Sequence, residues 1–172
     1  MRMLLATCTA VLLGCAPTAP PMRWLQEGWL VHEEAGVSVA VPPNWHTTRA
    51  TTGVVAGGDE GTPAYYTTLS IQALRPSDKT RFAEILRAAY EHPAIGDSMP
   101  PTYAPCVAGD MLGLCYAVSF TVFAEPRHRL GVLLDLAPYV IDVSFTAPAA
   151  AYADHVDVFE RALATLYVEP AS

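Results

Sequence analysis

Residues 139–166 read YVIDVSFTAPAAAYADHVDVFERALATL. The first part alternates strictly, with Ile141, Val143 and Phe145 on one side, which predicts a strand over Tyr139–Thr146. The period then changes to the spacing of a helix. Its apolar stripe consists of Tyr152, Val156, Phe159, Leu163 and Leu166. Thr146 is the expected N-cap, with Pro148 in the first turn. A strand followed by an amphipathic helix predicts a sheet with a helix packed on it.

The same reading extends outward to the rest of the chain. Period-2 or β-branched stretches predict further strands at Trp29–His32, Val37–Val41, Val54–Ala56, Ala64–Leu74, Leu112–Ala124 and Leu130–Leu136. A second amphipathic helix is predicted over Lys79–Glu91, a loop over Ile95–Pro105 and a turn at Pro126–His128. Short turns imply antiparallel neighbours. The expected fold class is therefore α+β, an antiparallel sheet sandwiched by helices, with five to seven strands and two main helices.

The length, composition and charge of the chain argue against a disordered segment and against a nucleic-acid-binding protein. The chain has 172 residues, of which 52% are hydrophobic and 16% charged, so it can form one well-packed domain rather than a disordered segment. The formal net charge is −7, with nine arginines and a single lysine. This balance argues against binding to nucleic acid, which needs a basic surface.

The N-terminus has the pattern of an export signal. One positive charge at Arg2 precedes a short apolar run from Leu4 to Leu13, too short to span a membrane. The segment Leu12-Leu13-Gly14-Cys15 resembles the bacterial lipobox, in which the cysteine is acylated and becomes the first mature residue. We therefore expect a lipoprotein signal peptide at 1–14, a lipidated Cys15 with a proline-rich tether at 15–27, and a single domain at 28–170. The alternatives are an uncleaved signal or a start site assigned too early, with Cys15 an ordinary thiol.

The residue after Cys15 indicates the membrane. Ala16 stands where an aspartate commonly retains Gram-negative lipoproteins at the inner membrane, so by this resemblance we expect the periplasmic face of the outer membrane. A Gram-positive source would instead place the lipid in the outer leaflet of its only membrane.

Two cysteines remain in the expected mature domain. Cys106 and Cys115 flank a turn-rich segment, and in an oxidising compartment they are expected to form one disulfide. Two buried free thiols in adjacent strands are the alternative. A zinc site is not expected, because no second pair of ligands stands at the required spacing.

Catalytic motifs are not recognisable, and the expectation is that the chain is not an enzyme and has no cofactor or metal. Asp154 and Asp157 share a helix face and could form a weak cation site, but a solvated face is the simpler interpretation. Asp135 and Asp142 lie in apolar strands; they could have raised pKa values, but exposure to solvent is the favoured reading.

One small cleft is predicted near the end of an early strand. Trp45, His46 and Arg49 follow the break at Pro42–Asn44 and could line a binding cleft together. A surface strand end is the structural alternative for His46, and a cover over the sheet edge is the alternative for Trp45.

The stretch Gly36–Trp45, GVSVAVPPNW, resembles the opening of the PsbP-like and DcrB-like family, in which a strand runs into Pro-x-x-Trp. The last strand, Tyr139–Ala147, and the closing helix, Ala149–Leu166, are similar to the end of that family's domain. The resemblance covers Trp29–Val168. It implies an antiparallel sheet between helices and a binding or assembly role, since the family is largely non-catalytic.

The leading hypothesis is thus a non-enzymatic, envelope-anchored lipoprotein that binds another envelope or secreted protein as an assembly or accessory module. One specific version is an immunity protein for a secreted toxin. Its acidic charge suits a basic partner. The alternative is a periplasmic lipoprotein that binds a small molecule or metal ion in the cleft near Trp45 and His46. A hydrolase is a third reading, which a buried serine–histidine contact with an oriented aspartate would favour.

Overall fold

The structure is a computed structural model that describes residues 28–50, 53–58, 60–62, 64–75 and 101–169. The strands in these residues are β1 (Trp29–His32), β2 (Val37–Ala40), β3 (His46–Ala50), β4 (Gly53–Gly57), β5 (Thr68–Leu74), β6 (Thr102–Ala108), β7 (Met111–Val122), β8 (Glu125–Leu136), β9 (Tyr139–Pro148) and β10 (Tyr167–Val168). A short 3₁₀ helix spans Glu33–Ala35, and one α-helix, α1, spans Tyr152–Ala164.

Seven strands form a large antiparallel sheet in the order β3-β4-β5-β9-β8-β7-β6. Its centre is β9, which pairs with β5 on one side and β8 on the other. Both faces of β9 are buried, from Val140 through Phe145, as expected for a central strand with covered faces. Among the described strands, the edges are β3 and β6.

A small sheet and α1 cover one face of the large sheet, which we call the first face. The small sheet has the order β1-β2-β10, and β1 packs over β4 and β5. Its Leu30, Val37 and Val39 are fully buried in one cluster with Phe145 of β9 and Phe159 of α1. This cluster is the main core of the domain.

A second cluster lies on the opposite face of the large sheet. It consists of Tyr116, Val118, Phe120, Leu133 and Val140, all buried. Leu74, Leu114 and Val122 pack against it. The chain therefore buries apolar side chains on both faces of β7, β8 and β9.

Several sequence predictions are confirmed. The strands at Trp29–His32 and Val37–Ala40, the strand that starts at Tyr139 and the helix with Phe159 in its buried stripe are all present. The predicted class, an antiparallel α+β fold, is also correct. A second, three-stranded sheet was not anticipated.

Other predictions need correction. The strand predicted from Ala64 begins at Thr68, because Ala64–Tyr66 forms a turn with hydrogen bonds from Tyr65 N to Thr62 O and from Thr67 N to Ala64 O. The loop predicted over Ile95–Pro105 is wrong at its end, where β6 starts at Thr102 and contains Pro105. An edge strand tolerates a proline because one side of its backbone has no partner strand.

The turn predicted at Pro126–His128 is also wrong, because the chain reverses at Phe123–Ala124 and the three residues belong to β8. Thr146 does not cap α1, since β9 continues to Pro148; the N-cap residue is Ala151 and makes no side-chain cap. The sandwich of two helices is not seen, because the described residues contain the single α-helix α1. The helix predicted over Lys79–Glu91, the signal peptide at 1–14 and the lipidated Cys15 with its tether lie outside the described residues. In the described part of the chain, no helix is both long enough and apolar enough to cross a membrane.

Candidate interaction surface

The three residues of the predicted cleft lie in different surroundings. Trp45 is 8% exposed and belongs to the main core. His46 and Arg49 are exposed on the edge strand β3, three residues apart, so their side chains point to opposite sides of the strand. A shared binding role for the three residues therefore stays a prediction, and only the surroundings of Arg49 suggest a ligand site among them.

Arg49 lines a groove of about 350 Å³ between the small sheet and the β3–β4 hairpin. Arg49 bonds Glu33 at 2.9 Å, whereas Arg75 donates from Nη2 to the Tyr139 hydroxyl at 2.7 Å and lies 5.0 Å from the centre of that ring. The hydrogen bond to Tyr139 raises the pKa of the Arg75 guanidinium. Glu34 also lines the groove. Its rim thus carries charges of both signs over a floor that includes Val54 and Ala73.

A serine–histidine contact does exist on the first face. Ser119 Oγ lies 2.8 Å from His128 Nδ1, and the His128 ring meets Tyr152 edge-on at 5.0 Å. In the described residues no carboxylate is bonded to His128, and the buried Asp142 is held elsewhere. The contact therefore lacks the third group that orients a catalytic histidine. The described residues also contain no cluster of three or more side chains that could hold a metal ion.

The face of the large sheet opposite the first face contains a buried polar cluster around Asp142. Tyr116 donates its hydroxyl to Asp142 Oδ1 at 2.9 Å, and Arg129 donates from Nη2 to Asp142 Oδ2 at 2.6 Å. Arg129 also bonds Ser144 Oγ at 2.7 Å, and Ser144 in turn contacts Ser70 Oγ at 2.9 Å. These bonds connect β5, β9, β8 and β7 across the sheet. The expectation that Asp142 points to solvent is wrong, because it is 2% exposed.

Burial raises the pKa of Asp142, since desolvation of the carboxylate outweighs the charge of Arg129 and the hydrogen bond from Tyr116. Such a shift is common at active sites, but it also marks buried ion pairs. Asp142 has almost no exposed surface on which a substrate could reach it. The hydrogen bonds of the cluster join side chains of four neighbouring strands.

The raised pKa of Asp142 gives a pH-dependent stability that Asp142→Asn should remove. A carboxyl whose folded-state pKa lies above its unfolded value of about 3.9 stabilises the fold most when it is protonated. The stability of the wild type relative to Asp142→Asn should therefore be greatest below about pH 4 and fall as the pH rises through the folded-state pKa. Urea unfolding of both proteins between pH 3 and about pH 8 measures this difference. A difference that instead grows with pH contradicts the assignment.

The β6–β7 hairpin presents an apolar surface at the edge of the large sheet. Val107 and Leu112 are directly paired across the hairpin and are 66% and 84% exposed. Tyr103, which pairs with Tyr116, and Pro105, which pairs with Leu114, continue this surface along the same face and are also exposed. We call Tyr103, Pro105, Val107 and Leu112 the hairpin patch. A contiguous exposed apolar surface of this kind is typical of an interaction site.

A disulfide links β6 and β7 on the core side of the β6–β7 hairpin. The predicted bond between Cys106 and Cys115 is confirmed, with the two Cα atoms 5.7 Å apart. Both cysteines pack against the main core, on the opposite face of the hairpin from the hairpin patch. The bond limits the freedom of the edge strand, so the hairpin patch is held in one shape before any partner binds.

Acidic side chains lie beside the hairpin patch. Asp110 is exposed in the turn between β6 and β7, and Asp135 is exposed on β8, on the same face as Leu133. An apolar centre with a charged rim is the usual arrangement of a protein interface. This surface is hard to recognise in the sequence because the prolines near Pro105 indicate a loop, although the spacing of the two cysteines indicates paired strands.

Comparison with known proteins shows the fold. No model of a known protein family matches the chain, and no curated protein matches it in sequence. The solution structure of the cyanobacterial PsbP protein CyanoP from Synechocystis is similar, with 14% identity, a TM-score of 0.58, and coverage of 91% of this chain and 99% of that one. The Ran-binding protein Mog1p of Saccharomyces cerevisiae has 12% identity and a TM-score of 0.56, over 81% of this chain and 94% of its own.

Two bacterial structures agree with this assignment. LpqN of Mycobacterium tuberculosis, described as involved in cell envelope biogenesis, has 12% identity and a TM-score of 0.50, over 78% of this chain and 83% of its own. A Bacteroides thetaiotaomicron structure has 14% identity and a TM-score of 0.56, over 84% of this chain, which spans 49% of that longer one. The chain therefore has a PsbP-like α+β fold, as the resemblance in its sequence implied.

Proposed function

We propose that this chain is a non-enzymatic, lipid-anchored envelope protein that binds another protein through the hairpin patch, in an assembly or accessory role. The observation that carries the proposal is the braced apolar surface around Val107 and Leu112, exposed at 66% and 84%. Monomeric proteins rarely leave such a surface in water without a use for it.

The charge of the chain indicates what kind of partner fits. The net charge is −7, and Asp110 and Asp135 lie at the rim of the hairpin patch. A partner with an apolar centre and a basic rim complements this surface, and the opposite charges would speed the encounter. An immunity protein for a secreted toxin is one specific role of this kind.

Fold and sequence support the remaining parts of the proposal. Among proteins of similar fold, Mog1p binds Ran and LpqN is involved in cell envelope biogenesis. The lipobox at Leu12–Cys15 supports acylation of Cys15, and Ala16 supports the periplasmic face of the outer membrane. The proposed anchor requires several acyl chains, since a single chain gives only marginal membrane binding.

Crosslinking in the native envelope tests the binding role. The tagged full chain is compared with Leu112→Asp, which puts a charge into the hairpin patch, and with Thr48→Asp, which adds the same charge on the exposed strand β3. We expect a stoichiometric basic partner whose recovery falls at least about tenfold with Leu112→Asp and stays unchanged with Thr48→Asp. Titration with the purified partner should give the same difference in Kd.

Two outcomes contradict the proposal. Equal recovery with all three chains, each shown to be folded by its thermal transition, would exclude the hairpin patch as the interface. An N-terminal peptide whose mass shows Cys15 without acyl chains would exclude the acyl anchor. A folded Val107→Ser variant provides a second, milder test of the same surface.

A second candidate function is the binding of a small molecule, which one observation favours. The groove lined by Arg49, Arg75 and Tyr139 has a volume of about 350 Å³, within the range of small-ligand sites. Its charges of both signs suit a zwitterionic compound. A blank crosslinking result together with a copurifying compound in native mass spectrometry would favour this candidate.

A further inference from the structure

The turn between β7 and β8 contains the large apolar side chain with the highest solvent exposure among the described residues. Phe123 is 99% exposed. Its φ is 50° and that of Ala124 is 64°, so both residues of this two-residue turn are left-handed. Such turns favour Asn-Gly, and a bulky residue with positive φ is a genuine outlier. A strained position that also exposes an aromatic ring is a reason to look for a function there.

The register shows that this turn projects from the sheet. On one side, the last pair between the described residues of β6 and β7 is Thr102↔Ala117. On the other side, the last pair between β9 and β8 is Arg127↔Pro148, and the Ala149 amide still donates to the Pro126 carbonyl at 2.9 Å. The hairpin continues to the pair Val122↔Glu125. Phe123 and Ala124 therefore form a tip that extends past the paired ends of the described neighbouring strands.

Two further aromatic rings flank this end of the sheet. Tyr65 and Tyr66 are 41% and 57% exposed, and their rings meet edge-on at 4.8 Å. Arg127 on β8 bonds the Tyr66 carbonyl at 3.5 Å and lies 5.9 Å from the centre of the Tyr66 ring. Its charge is already balanced by Glu125 at 2.7 Å. The end of the sheet thus combines an apolar tip with tyrosines and a neutralised ion pair.

We propose that Phe123 inserts into the surface of a lipid bilayer, with Tyr65 and Tyr66 at the level of the headgroups. A single convex tip offers too little area for a stable protein interface, which needs about 800 Å² on each partner, but it can enter a fluid surface. Tyrosine is enriched at the membrane interface for its amphipathic ring. The net charge of −7 and the balanced pair at the tip favour zwitterionic over anionic lipid.

The position of the predicted anchor supports a bilayer as the occupant, and to this extent the inference rests on the proposed function. Cys15 precedes Gly28, the first described residue, by 13 positions, which span at most about 45 Å when extended. A domain on such a tether stays close to the membrane, where even weak insertion of one ring would fix its orientation. The hairpin patch lies at the opposite end of β7, so Leu112 would then face away from the lipid.

Site-specific labelling tests the insertion. Phe123→Cys and Leu112→Cys are each labelled with a nitrobenzoxadiazole dye on the acylated full chain in phosphatidylethanolamine–phosphatidylcholine vesicles. Both positions are exposed and apolar, at opposite ends of β7. The dye at position 123 should shift its emission to the blue and lose at least about fivefold of its quenching by aqueous iodide, whereas the dye at position 112 should stay accessible. Equal quenching at both positions overturns the inference.

The anchor is tested separately so that the two proposals can fail independently. The mass of the N-terminal peptide shows whether Cys15 carries acyl chains. The labelled Cys15→Ser chain, produced without residues 1–14, is measured in the same vesicles, where protection of position 123 but not of position 112 supports the tip without any anchor. No protection in either chain overturns the tip, whatever the state of Cys15.

A second variant guards against effects on folding. Phe123→Asn places a residue that tolerates positive φ in the turn, so the thermal transition should stay the same or rise. When Phe123→Asn is added to the Cys15→Ser chain, binding to the same vesicles should nevertheless fall at least about fivefold compared with Cys15→Ser alone. A lower thermal transition with unchanged binding would make Phe123 a structural residue. A protein crosslinked through position 123 in the envelope would replace the lipid with a protein partner.

Discussion

Replacing Arg129 with methionine should lower the free energy of unfolding by about 3–5 kcal/mol. Arg129 provides the cation for Asp142 at 2.6 Å, and Asp142 is 2% exposed. Methionine keeps much of the length and apolar volume of the side chain but leaves a buried carboxylate without its charge partner. The same change also removes the hydrogen bond to Ser144. Urea unfolding at pH 7 measures the loss.

The double variant Arg129→Met with Asp142→Leu distinguishes the effect of the charges on stability from the effect of side-chain packing. Because both charges are then gone, we expect it to recover most of the stability that Arg129→Met loses. The loss from Arg129→Met should also shrink as the pH falls through the raised folded-state pKa of Asp142, because a protonated carboxyl needs no charge partner. A loss of less than about 1 kcal/mol in the single variant at pH 7 would mean that groups other than Arg129 balance the charge of Asp142.

Gly131→Ala should cost about 2–4 kcal/mol, although it adds only one methyl group. A Cβ at position 131 would lie 2.3 Å from Cε1 and Cζ of Tyr116 and 2.4 Å from its hydroxyl oxygen. The ring covers Gly131 directly, so it would have to swing away, and its hydrogen bond to Asp142 would break. Thermal unfolding with far-ultraviolet circular dichroism measures the effect.

Tyr116→Phe is the matched control for this prediction. It removes the hydrogen bond to Asp142 but leaves the ring over Gly131, so it should cost about 1–2 kcal/mol, less than Gly131→Ala. If Gly131→Ala proves no worse than Tyr116→Phe, the ring moves freely and only the hydrogen bond matters. If Gly131→Ala is neutral, the close packing of Tyr116 on β8 is wrong.

Local patterns predicted the elements that bury one clear stripe. The alternation around Val143 and the helical spacing around Phe159 place both elements correctly, and the two cysteines correctly indicated paired strands. Residue composition gives the wrong element where the sheet topology accepts residues of low strand or turn propensity. Pro105 lies in a strand because β6 is an edge, and the chain turns at Phe123 although Pro126 has the stronger turn propensity.

The polar cluster and the hairpin patch could not be derived from one strand at a time. Asp142 looks like the solvent side of an alternating strand, and only the placement of β9 at the centre of the sheet buries both of its sides. The match between Asp142, Tyr116 and Arg129 depends on the register of three strands. Similarly, the sequence places Trp45 beside His46, but only the complete fold shows that the Trp45 side chain packs into the main core.

The pairing of β10 with β2 has a consequence for the order in which the molecule can be completed. Tyr167 and Val168 pair with Ser38 and Val37, and the Ala40 amide donates to Thr165 across 125 residues of sequence. During synthesis β2 emerges long before these partners, and closing so long a loop is slow. The small sheet can therefore be finished only after Val168 has left the ribosome. For a protein exported as proposed above, the same pairing would keep the small sheet open until Val168 has passed through the export channel.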